Sequence, residues 1–144
     1  NWVQTIKQST QSISSTGEII LVAHSLAPLA ACHYLTERDN PIFASFFVAP
    51  FAEKLPHTPE PYPTLNNPFI EAPIDWEKVK DNCRRFFCFA GDNDPYVPIE
   101  MSRHFAKNLG AKLIVIPEAG HMNEESGYTR FPLLLDALNS TIKS

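Results

Sequence analysis

Short unbroken apolar runs alternate along this chain with stretches in which apolar residues recur at every third or fourth position. Residues 2–14 carry Trp2, Ile6 and Ile13 in a loose helical spacing, with Ser and Gln on the wet face, and Ser14-Ser15-Thr16-Gly17 closes that first predicted helix. Ile19 to Ala23 is uninterrupted apolar sequence, which predicts a strand covered on both faces by helices in a parallel sheet. Leu26 to Glu37 predicts the next helix, with Pro28 in its first turn, where a missing N–H has no intrahelical partner to lose. Ile42 to Ala49, Arg85 to Ala90 and Lys112 to Ile116 predict three further strands. Asp75 N-caps a short predicted helix from Trp76 to Asn82, Gly110 closes another over Ile99 to Leu109, and Arg130 to Ile142 forms the last. Strands and helices alternate throughout, so the expected class is α/β with a mostly parallel sheet in a single domain over 1–144.

One stretch departs from this rhythm. Between Pro50 and Pro73, prolines recur at 56, 59, 61, 63 and 68, too often for a helix or a central strand. The expectation is an irregular excursion over 50–75, carrying Phe51, Tyr62 and Phe69 across the active-site side. Long loops in compact domains commonly serve as lids or pocket walls, the alternative being a passive connector.

Composition narrows the function classes. Of 144 residues, 44% are hydrophobic and 19% charged, a globular balance and not a disordered one. The formal net charge is −4, and Lys and Arg are scattered, so no basic stripe offers a nucleic-acid surface. No apolar run approaches the ~18 residues that would span a bilayer, and no membrane partner is expected. The polar N-terminal residues lack a signal-peptide core. Cys32, Cys83 and Cys88 are an odd number at no metal-ligand spacing, and read as buried free thiols in a reducing cytoplasm. Neither His-x-Glu nor Cys-x-x-Cys is present, so neither a metal nor any other cofactor is expected.

The candidate chemistry lies at the strand ends. Ser25 follows Ile-Ile-Leu-Val-Ala-His, a strand running into a serine flanked by small residues, as in the nucleophile elbow of Gly-x-Ser-x-Gly hydrolases. Ala23 and Ala27 stand where that pattern has glycine, and alanine is the smallest substitute. A simple N-cap role for Ser25 is the alternative. Asp94 lies in Gly-Asp-Asn-Asp-Pro after the third strand, and His121 lies in Ala-Gly-His after the fourth. Open α/β sheets bind ligands beyond the carboxyl ends of their strands, so all three side chains should converge on one edge. Ser25 would be the nucleophile, His121 the general base and acid, and Asp94 the group that orients the imidazole. The backbone N–H of Leu26 would face the oxyanion. Asp92 reads as a cap of the turn, and Glu124 and Glu125 as solvated turn residues. His24 is expected to be buried beside the serine, His33 and His104 on helices, and His57 in the Pro-rich segment.

Leu-Val-Ala-His-Ser-Leu-Ala, Phe-Val-Ala-Pro-Phe-Ala, Gly-Asp-Asn-Asp-Pro-Tyr-Val-Pro and Glu-Ala-Gly-His together resemble the small serine hydrolases of the retinoblastoma-binding protein 9 and YdeN-like type. The resemblance covers essentially the whole chain. It implies an α/β-hydrolase three-layer sandwich, Ser25, Asp94 and His121 as a catalytic triad, and hydrolysis of ester or amide bonds in small substrates. The Leu-x-Cys-x-Glu retinoblastoma-binding motif does not occur here, so that partner is not carried over. Two departures stand out. Ala27 replaces the family's glycine two residues after the serine. The family's opening strand, His-Gly oxyanion loop, helix and second strand also have no counterpart in these residues. The expectations are therefore a portion of a longer protein, weak activity for this chain alone, and association along the 19–23 strand edge if that portion is absent. A non-catalytic binding or scaffold protein on the same fold is the rival reading, and an accidental triad would leave the three side chains apart.

Overall fold

The computed structural model describes residues 2–11, 13, 18–57 and 61–144. Four parallel strands form one sheet in the order β1 (Ile20–His24), β2 (Ala44–Val48), β3 (Phe86–Gly91) and β4 (Leu113–Ile116). The register aligns Val22 with Phe46, Phe46 with Phe87, and Phe89 with Ile114, so the carboxyl ends of all four strands share one edge. Among the described residues, six α-helices connect or flank them: α1 (Trp2–Gln11), α2 (Ala27–Thr36), α3 (Tyr62–Ile70), α4 (Trp76–Asp81), α5 (Ile99–Asn108) and α6 (Pro132–Ile142). Helices α1, α2, α4 and α5 cover one face, burying Val3, Leu35, Val79 and Phe105 against Phe47 and Cys88. Helix α6 covers the other, where Phe131, Leu134 and Leu138 pack on Phe46 and Phe89. Each face removes large apolar side chains from water, at roughly 25 cal/mol per Å² buried. The result is the parallel α/β sheet expected from the alternation of strands and helices, in the three-layer sandwich that the family resemblance implies.

The strand and helix positions match the apolar pattern to within a residue or two, except that residue 12 and residues 14–17, including the expected end of the first helix, lie outside the described residues. Local signals act as expected. Asp75 Oδ1 accepts the N–H of Lys78 at 3.0 Å to cap α4, Pro28 stands in the first turn of α2, and Gly110 ends α5 at φ 64°.

Two expectations are corrected. The Pro-rich segment is not wholly irregular, because Tyr62–Ile70 is helical. Pro61 precedes that helix and Pro63 falls in its first turn, where the absent N–H has no internal acceptor, so proline starts α3 instead of breaking it. Nor is β1 covered on both faces. Val22 is 53% exposed, whereas every residue of β2 is buried. Leu21 and Ala23 point into the helical layer of α1 and α2, but Val22 is on the opposite face, where α6 packs over the inner strands. An unbroken apolar run identifies a strand of a parallel sheet without telling whether it lies at the sheet's centre or its margin.

Candidate active site

Ser25 occupies the turn between β1 and α2 with φ 63°, a left-handed conformation costing roughly 1–2 kcal/mol for a residue with a Cβ. The turn is anchored from below, where the N–H of Ser25 donates to the carbonyl of Val48 at 2.9 Å. This strain lifts Oγ out of the strand line. The N-cap residue of α2 is Leu26, without a side-chain cap, and Ser25 Oγ is directed instead at His121. A simple capping serine is thereby set aside.

Asp94 and His121 arrive from the next two loops. Asp94 Oδ1 accepts the N–H groups of Tyr96 (2.8 Å) and Val97 (2.9 Å), which closes its own turn and fixes the carboxylate. Its other oxygen, Oδ2, accepts from His121 Nδ1 at 2.8 Å. With Nδ1 protonated, Nε2 is left as acceptor for the Ser25 hydroxyl, 3.2 Å away. The Asp94 and His121 side chains are 2% and 10% exposed, so their pairing is shielded from competing water. Tyr96 sets its ring edge-on to the imidazole at 5.1 Å, covering it from the solvent side. The three residues therefore meet, which disposes of the accidental arrangement.

The two loops that carry Asp94 and His121 are tied to each other. Asp92 Oδ1 accepts the N–H of Glu118 at 2.8 Å, Asn93 Oδ1 accepts that of Gly120 at 2.7 Å, and Ser126 Oγ accepts that of His121 at 3.1 Å. The expected cap role of Asp92 is corrected: its side chain links the two loops, and Asp94 closes the turn. The backbones approach so closely that a Cβ on Gly91 would lie 2.3 Å from the carbonyl oxygen of Gly120. Glycine at position 91 is therefore a steric requirement of the site. Glu124 and Glu125 open a single 3₁₀ turn, Glu124–Ser126, in the same loop, and Glu125 accepts the Tyr96 hydroxyl at 3.1 Å.

Ser25 also lines a cavity of about 860 Å³ whose walls include Trp2 and Val3 from α1, Leu26, and Tyr62 and Phe69 from α3. These walls are largely apolar, and the proline-rich excursion supplies one side of them. A second cavity of about 460 Å³ lies at the opposite, amino ends of the strands. Its lining includes two ion pairs, Lys7 with Glu37 and Arg84 with Glu18, and it holds none of the three residues above.

The other histidines fall on the expected elements. His33 lies on α2 with its ring edge against Phe69, and His104 on α5 pairs with Glu53 at 2.9 Å. His24 carries more than its sequence context suggested. It is half-buried beside the serine, and its Nε2–H donates to the backbone carbonyl of His121 at 2.7 Å. Burial lowers its pKa from the usual imidazole value and keeps it neutral, outweighing the bond to the His121 carbonyl, which acts the other way. The sequence signal for Asn93 is its place inside Gly-Asp-Asn-Asp, where Asx side chains commonly bind nearby backbone.

A parallel sheet with helices on both faces, and a strained serine presented to a histidine–aspartate pair at the strand ends, define an α/β-hydrolase. The chain belongs to the serine hydrolase family, whose sequence profile matches residues 1–140. It is 25% identical to the hydrolase YdeN of Bacillus subtilis over 142 residues, covering 97% of this chain and 71% of that protein. The crystal structure of the B. subtilis ydeN product superposes with a TM-score of 0.85, over 99% of this chain and 74% of that one. Serine hydrolase RBBP9 of Rattus norvegicus is 26% identical over 123 residues, 85% of this chain and 61% of that protein. A YdeN-like hydrolase from Pectobacterium atrosepticum superposes with a TM-score of 0.67 at 27% identity, over 97% of this chain and 66% of that one.

Proposed function

We propose that this protein hydrolyses ester or amide bonds of small substrates by acyl transfer through Ser25. The observation that supports the reading is the continuous hydrogen-bond chain from Ser25 Oγ through the His121 imidazole to Asp94 Oδ2. In the proposed cycle, Ser25 Oγ attacks the substrate carbonyl carbon as its proton passes to His121 Nε2. Asp94 holds the Nδ1–H tautomer and stabilises the imidazolium that forms. The N–H of Leu26, at the amino end of α2, donates to the developing oxyanion, where the helix dipole adds to the effect. His121 then returns the proton to the leaving alkoxide or amine. Water, deprotonated at Nε2, cleaves the acyl-enzyme and frees Ser25. The apolar cavity bounded by Trp2, Tyr62 and Phe69 receives the uncharged part of the substrate. Three free thiols, all buried, support a reducing cytoplasmic setting.

A fluorophosphonate probe tests the reading directly, since it reacts with a serine only when an adjacent base activates the hydroxyl. The protein is expected to be labelled at Ser25, and the Ser25→Ala variant to lose both label and ester turnover. Equal labelling of the two overturns the proposal.

A further inference from the structure

The geometry points to His24 as a positioning residue that sets the distance between the nucleophile and its base. The inference rests on the acyl-transfer reading above. His24 ends β1 and immediately precedes Ser25, so its backbone moves with the nucleophile. His121 sits on the loop after β4, a strand three spacings from β1, about 14 Å at the usual separation of paired strands, so this loop must return across the strand ends to meet Ser25. The bonds from Asp92, Asn93 and Ser126 tie the His121 loop to the loop after β3 or to itself, and none of them reaches β1. They hold the Asp94–His121 pair together but leave its separation from Ser25 to the register of the sheet. The Nε2–H of His24 crosses that gap, donating to the carbonyl of His121 itself at 2.7 Å.

The rings reinforce the bond, because the imidazoles of His24 and His121 lie 4.6 Å apart at 54°. Since a carbonyl only accepts, the Nε2 of His24 must carry the proton. Burial keeps this ring neutral, although the bond to the His121 carbonyl and the charge of Asp94 favour its protonation; the His121 imidazole opposes it. A neutral donor is suited to this place, because a cation there would repel the imidazolium that His121 becomes during turnover. Displacements of about 1 Å at a reacting pair cost on the order of 10²-fold in rate, so a tie at this point acts on the chemical step more than on substrate binding.

The experiment compares His24→Gln, whose side-chain amide reaches the same carbonyl, with His24→Leu, which fills the space without a donor. His24→Leu is expected to lower kcat about tenfold or more with KM little changed, and His24→Gln to stay within about threefold of the wild type. The downfield proton resonance of the His121–Asp94 hydrogen bond supplies a second readout, expected to broaden or shift in His24→Leu and to persist in His24→Gln. Three results overturn the assignment: wild-type kcat in His24→Leu, equal impairment of the two variants, or a raised KM with kcat unchanged. If His24→Leu fails to fold, impaired kcat in a folded His24→Gln overturns it, and a retained kcat supports it. Ser25→Ala runs alongside as a control, because undiminished turnover there would sink the acyl-transfer reading itself, independently of His24.

Discussion

The two halves of the site are built differently. Asp94 and His121 stand on adjacent loops braced by side-chain-to-backbone bonds from Asp92, Asn93 and Ser126 and by the close passage of Gly91 past Gly120. Ser25 stands at the end of the outermost strand, its N–H bonded to the Val48 carbonyl and His24 beside it. One half is fixed by short-range contacts within a few residues of the chemistry. The other depends on how β1 docks against β2 and on what its outer edge meets. A histidine–carboxylate pair needs fixed orientation, which turns supply locally. A nucleophile needs exposure and strain, and those are easier to hold at the end of a strand.

The largest expected effect falls on the braced half. Asp94→Asn keeps an oxygen for the Tyr96 and Val97 amides but presents an amide N–H to His121, favouring the wrong tautomer. A fall of about 10⁴-fold in kcat is expected, with the melting temperature nearly unchanged. Activity within tenfold of the wild type would show that the carboxylate is not what orients the ring. Gly91→Ala comes next. Its Cβ cannot fit against the Gly120 carbonyl, so the two loops must part, with a loss of about 10²-fold in kcat and a lowered melting temperature. Wild-type kinetics in that variant would mean the bracing is dispensable.

The open half should respond in association before it responds in chemistry. Val22 is exposed on the outer strand beside an apolar groove lined by Leu21, Ala23 and Ala27. A lysine at position 22 is expected to suppress concentration-dependent association of the 144-residue chain, measured by sedimentation, because a charge on an edge disfavours added strands. Unchanged association would place the contact elsewhere. The smallest effect concerns pH. His24 has a lowered pKa in the folded protein, so above the ordinary imidazole value both folded and unfolded states are neutral there and the residue adds no pH dependence. As pH falls below about 6.5, the unfolded chain takes up a proton that the folded site refuses, and stability declines. Urea unfolding compared at pH 7 and pH 5 should therefore show a smaller acid loss in His24→Gln than in the wild type. An equal loss in both would remove His24 as a source of acid sensitivity.

Much of this was legible residue by residue. The elbow serine, the Asp94 turn and the Ala-Gly-His loop were each marked by local signals, a strand running into small residues or a turn rich in Gly, Asp and Asn. Their chain order after separate strands then implied a shared edge. Helix α3 was not legible because proline argues against a helix, yet Pro63 stands in the first turn, where it is harmless, and Pro68 is tolerated within the last turns of this short helix. The local sequence marks His24 as a neighbour of the serine, but nothing in it reveals that a carbonyl 97 positions away stands opposite its ring.

By itself, then, the sequence determined the elements, the α/β class and the three candidate residues, because periodicity, caps and turn chemistry act over a few neighbouring positions. The tertiary structure alone decided that Val22 faces outward, that Gly91 must lack a side chain, and that His24 reaches across to His121. Those outcomes depend on which strand lies at the margin and on which backbones approach one another. Such contacts join residues distant in the chain and leave no periodic trace in it.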